Sequence, residues 1–126
     1  MSRENTRQIA RLRALKNYIQ NNPKEFNQLH PELCLVGLGV RLYKGVMRPG
    51  TTVANLGWGE LKRRFSERYG ISIETANRLF YGNYVAINAN FKKNYKNGIF
   101  FTAIPVLSVV RMLEYLATQK EKGNTP

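Results

Sequence analysis

Aspartate is absent from the 126 residues, and the chain carries a single histidine, His30, and a single cysteine, Cys34. These shortages exclude chemistry before anything present is weighed. Tyrosine-based cleavage of nucleic acid has seven tyrosines to draw on, but the clustered histidine and carboxylate partners it uses are missing. A structural zinc site needs four Cys, His or carboxylate ligands, of which His30 and Cys34 supply two, so no metal and no cofactor are expected. His30 and Cys34 stand four apart, yet packing for the cysteine and a surface place beside Pro31 for the histidine account for them more simply than a nucleophile pair. A lone cysteine closes no internal disulfide, which fits a reduced, cytoplasmic setting. Long apolar runs are missing as well. The longest, about Leu33 to Leu42, contains two glycines and Arg41 and is too short to span a bilayer. The opening MSRENTRQIARLRALKNYIQ lacks the apolar stretch of a secretory signal, so no membrane partner is expected.

What the chain has in excess is positive charge. Twenty Lys and Arg stand against eight acids, all glutamate, for a formal +12. The first partner to consider is therefore a polyanion, and the composition points to binding rather than catalysis. At 43% hydrophobic the chain can still fill a core. One helical domain over 1–117 is expected, followed by a disordered polar tail over 118–126.

The spacing predicts a mainly α architecture of five or six helices. Thr6 or Asn5 can cap a first helix in which Ile9, Leu12, Leu15 and Ile19 share a face, ending near Asn21-Asn22-Pro23. Arg3, Arg7 and Arg11 form a stripe turned away from that face, most simply a solvated one. Pro23 can open a short helix reaching Leu29. In LCLVGLGVRLY, periodicity does not choose between buried helix and buried strand, and helix is favoured. Arg48-Pro49-Gly50-Thr51-Thr52 reads as a loop. Trp58, Leu61, Phe65 and Tyr69 recur at helical steps, giving GWGELKRRFSERYG an aromatic inner face, and Gly70 closes it. Ser72 caps a short helix, Ile73 to Tyr81, with Ala76, Leu79 and Phe80 inside and Gly82 as its stop. Asn97-Gly98 signals a tight turn, so a small β-hairpin near 84–101 is expected, with a helical extension as the competing reading. Pro105 opens a last helix with Val106, Val109, Val110, Leu113 and Leu116 on one face.

The segment Leu61 to Gly82 resembles the helix-turn-helix of DNA-binding proteins. A first helix ends in Tyr69-Gly70, Ser66 supplies the small residue four places before the turn glycine, and Ile71, Ala76 and Leu79 supply the apolar positions after it. The resemblance implies that Ser72, Ile73, Glu74, Asn77, Arg78 and Tyr81 face DNA, with Asn77 suited to adenine and Arg78 to guanine. Glu74 departs from the pattern, since a carboxylate opposes phosphate, although it also complements a helix dipole. A purely structural helical hairpin asks for much the same residues. YIQNNPKEFNQ, CLVGLGVRL, YGISIETANRLFYG and IPVLSVVRMLEYL are similar to segments of small helical proteins of bacteria and phages, a likeness that implies no activity and makes Cys34 a packing residue.

Lys62, Arg63, Arg64 and Arg68 on the first helix of that hairpin, and Lys92, Lys93, Tyr95 and Lys96 beyond the second, supply phosphate contacts in this reading. The lysine-tipped segment would resemble the wing of winged-helix proteins, or be a plain solvated loop. The expected function is non-catalytic nucleic-acid binding, DNA ahead of RNA. The alternative is a small phage-type inhibitor or adaptor whose basic surface docks on an acidic or nucleic-acid-binding protein.

Overall fold

The structure, a computed structural model, describes residues 2–27, 34–41, 57–91 and 105–126. Within them lie five α-helices: α1 (Arg3–Asn21), α2 (Leu35–Arg41), α3 (Trp58–Tyr69), α4 (Ile73–Phe80) and α5 (Val106–Glu121). Two short 3-10 turns, Pro23–Glu25 and Tyr84–Ala86, complete the regular structure of these residues, which includes no strand. The helix expected from Pro23 to Leu29 is thus a single 3-10 turn in its described part, and Phe26 after it is already extended. Pro31, the loop at 48–52 and the turn at Asn97-Gly98 lie outside the described residues.

α1 begins earlier than its apolar spacing indicates. Ser2 is the cap, its hydroxyl accepting from the Asn5 N–H at 3.0 Å, while Thr6 and Asn5 sit inside the helix. The first turn, Arg-Glu-Asn-Thr, contains no apolar residue, so nothing periodic announces it. Ile9, Leu12, Leu15 and Ile19 are buried, and this face meets Val109, Met112, Leu113, Leu116 and Ala117 of α5 in the same core cluster. Burying a leucine or isoleucine side chain stabilises by about 1.5–3 kcal/mol, so this pairing is a main source of cohesion.

α2 is buried on every side from Cys34 to Val40, which is why its sequence shows no helical period. Gly39 matters there for a close approach, because a Cβ at that position would overlap the Phe65 ring of α3. The Tyr69 hydroxyl donates to the Gly39 carbonyl at 2.7 Å and fastens α3 to α2.

In α3, Leu61, Phe65 and Tyr69 face inward as the spacing predicts, but Trp58 does not: it is 57% exposed. The first turn of α3 overruns the edge of the core, and the indole lies over Phe80 with ring centroids 5.6 Å apart. Gly70 takes the left-handed conformation, φ 63°, to close the helix. Ser66 donates its hydroxyl to the Ile71 carbonyl at 2.6 Å, and Ser72 caps α4 by accepting from the Thr75 N–H at 3.1 Å. Thr75, Ala76, Leu79 and Phe80 are buried, and Tyr81 is the cap residue rather than part of the helix.

Two expectations are corrected beyond α4. The first limb of the β-hairpin expected near 84–101 is instead a 3-10 turn, because the Tyr84 carbonyl accepts from both Ile87 and Asn88 and leaves no ladder partner there; its remainder lies outside the described residues. The tail expected from Thr118 is ordered. Residues 118–121 form the last turn of α5, the Lys120 ammonium donates to the Gly70 carbonyl at 2.8 Å, and the Pro126 carbonyl accepts from the Ser72 N–H at 2.7 Å. Polarity alone signals a tail, but here the polar groups find long-range partners. Lys120 is only 3% exposed, and its burial lowers the ammonium pKa from the ordinary value.

Candidate nucleic-acid interface

α3 carries charge on two flanks. Arg64 and Arg68, four residues apart, turn toward α1, whereas Lys62 turns toward α4. On the α1 flank, Arg11, Arg63, Arg64 and Arg68 line a cleft of about 500 Å³ together with Glu4 and Glu67. The Arg11 guanidinium crosses to α3 and donates to the Arg68 carbonyl at 2.9 Å, while also lying 3.5 Å from Glu4. Arg3 and Arg7, exposed on the same stripe as Arg11, extend the basic surface along α1.

Part of this charge is answered within the chain. Arg63 donates to Glu67 at 2.6 Å and to Glu60, and Arg64 donates to Glu60 at 3.0 Å. These donors, Arg63 ahead of Arg64, hold the Glu60 carboxyl down at about 2, and the same contacts raise the Arg63 guanidinium. In and beside the cleft four arginines (11, 63, 64 and 68) stand with three glutamates (4, 60 and 67), so among these described side chains cations outnumber anions.

On the other flank, Gly59 and Lys62 of α3 face Ile73, Glu74, Asn77 and Arg78 of α4 across a groove of about 380 Å³. The predicted reading residues Asn77 and Arg78 do come together here, but their neighbours constrain them. Lys62 donates to the Asn77 side-chain oxygen at 2.8 Å and to the Tyr81 hydroxyl at 3.3 Å. Its ammonium also lies 4.4 Å from the Tyr81 ring centroid and 4.9 Å from that of Phe80. A bidentate contact to adenine uses the amide oxygen of Asn77, where Lys62 already occupies one of the two acceptor sites. Arg78 reaches the Ala86 carbonyl only at 3.5 Å, a marginal bond. Ser72 spends its hydroxyl on the α4 cap and its N–H on Pro126, so neither of these groups points outward. Lys92, Lys93, Tyr95 and Lys96 lie outside the described residues, as does His30.

Cys34 is buried, with the Gly37 N–H donating to its sulfur at 3.4 Å, and burial pushes its thiol pKa up. Among the described residues no three His, Cys or Glu side chains gather as metal ligands, and no helix is long and apolar enough to cross a membrane.

Two participants escape sequence reasoning. Arg11 belongs to a stripe that is visible as a four-residue repeat, but nothing local reveals that it faces α3. Trp58 fits the inner-face spacing and is displaced only because the core ends before it. Comparison with protein-family models, with curated proteins and with solved structures finds no match for this chain.

Proposed function

We propose that this protein binds nucleic acid without catalysis, gripping the phosphate backbone electrostatically with the α1–α3 face and offering the outer side of α4 to bases. The observation that carries the reading is the convergence of Arg11, Arg63, Arg64 and Arg68 on one cleft, from two helices far apart in sequence, in a chain of formal charge +12. Guanidinium groups suit phosphate because their planar forks donate bidentately. The resemblance of Leu61 to Gly82 to a helix-turn-helix supports DNA as the ligand, with Asn77 and Arg78 as the base-contacting side chains.

A titration with duplex DNA, single strands and structured RNA at about 50 and 200 mM salt tests this. Micromolar or tighter binding that weakens steeply with salt is expected, since neutralising phosphates releases counterions. Absence of binding at low salt defeats the proposal and turns attention to an acidic protein partner.

A further inference from the structure

Trp58 is the one tryptophan of the chain, and it stands on the surface rather than in the core. Exposing most of an indole forfeits burial that would otherwise stabilise the fold, so its position calls for a physical use. Phe80 supports one side of the ring at 5.6 Å between centroids, and Lys62, one turn further along α3, holds its ammonium over Phe80 and Tyr81. Ile73, 50% exposed, lines the groove that Lys62 shares with Asn77 and Arg78. The indole, tilted 47° to Phe80, thus stands beside a ring that also carries the Lys62 ammonium.

We infer that Trp58 is a stacking platform for an unpaired nucleobase, with Lys62 holding the adjoining phosphate. This deepens the proposed function and rests on it. An isolated aromatic on a neutral surface would suit a protein partner equally, but the Lys62 ammonium over the adjoining Phe80 ring, in a chain of formal charge +12, favours a polyanionic chain that also carries flat rings. Single-stranded nucleic acid meets both requirements, whereas a duplex hides its base faces in the stack. Glu74, in the first turn of α4, lines the same groove and opposes a phosphate beside it, so the backbone is assigned to Lys62.

Because Trp58 is the sole indole, its emission reports the contact without ambiguity. The full chain is titrated at low salt with oligodeoxyuridylate and oligouridylate of about ten nucleotides, which differ only in the sugar and fall within the usual single-strand site sizes, and with a duplex of equal length. Binding is followed in parallel by anisotropy of labelled strands. Quenching of Trp58 by either single strand at the concentrations that give the anisotropy change is expected, and the strand that quenches identifies the sugar. Trp58→Ala should weaken single-strand binding about tenfold or more, Trp58→Phe should retain most of it, and duplex binding should change less than about twofold. Since Trp58 is exposed, circular dichroism of both variants should match the parent. Binding with unchanged emission, or equal affinity in Trp58→Ala, overturns the stacking inference and leaves phosphate binding standing. Failure of all three ligands to bind overturns both.

Discussion

α1 takes part in two seams that use charge in opposite ways. Against α5, Arg13 pairs with Glu114 and Glu121, and Lys16 donates to Glu114 at 2.9 Å, so two cations meet two anions beside a continuous apolar face. Against α3, arginines outnumber glutamates and line an open cleft rather than a packed face. The first seam is complete within the chain. In the second, arginines outnumber glutamates among the described side chains, and like charges held close cost stability unless something anionic joins them. One helix thus separates an apolar, charge-balanced side from a cationic one.

The largest effect should come from damaging the balanced seam. Leu116→Ala removes a fully buried side chain from α5 and should lower the unfolding free energy by about 2–5 kcal/mol, read from urea or thermal midpoints. A loss below about 1 kcal/mol would mean that α1 and α5 do not form the main core. Where that variant is folded, its nucleic-acid affinity should be unchanged.

An intermediate effect, on binding rather than stability, should follow from Arg64→Ala with Arg68→Ala. Affinity for nucleic acid should fall about tenfold or more at low salt, and the salt slope should become shallower by up to about two units, one for each phosphate that is no longer neutralised. The matched pair Arg13→Ala with Lys16→Ala removes as much formal charge from the other seam and should leave the slope nearly unchanged. Equal effects from the two pairs would show that net charge alone, not its placement, governs binding.

The smallest effect concerns pH. The Glu114 carboxyl lies below its ordinary value of 4.5, first because Lys16 donates to it and then because Arg13 does. A lowered folded-state value means that the contribution is fully present above pH 4.5 and is lost as pH falls through the lowered value. These side chains are partly exposed, so the contribution is below about 1 kcal/mol. Glu114→Gln should flatten the decline in urea midpoint between about pH 5 and 3, and an unaltered decline would show that this pair contributes nothing to acid stability.

The parts of the fold legible in the sequence are those where a helix meets the core along one stripe. Ile9 to Ile19, Leu61 to Tyr69 and Val109 to Leu116 reveal themselves by spacing, and Gly70 and Ser72 mark the turn between α3 and α4 by their capping chemistry. α2 is harder to read because burial on all sides erases the period. The segment after Thr118 misleads because Lys120 and Pro126 are ordered by Gly70 and Ser72, about fifty residues away, and no local window contains such partners. The same limit applies to the interface. Arg64, Arg68, Asn77 and Arg78 stand out as basic or amide residues at helical positions off the apolar stripe, yet the junction with Arg11, the capture of Asn77 by Lys62 and the outward turn of Trp58 all depend on how helices pack.

The central claim, that the cationic α1–α3 face holds a phosphate backbone, is tested most directly by the slope of log affinity against log salt for the intact protein. With about four phosphate contacts, affinity should fall roughly a hundredfold between about 50 and 200 mM salt. Affinity that stays flat across that range, or no binding at micromolar protein in low salt, would contradict it.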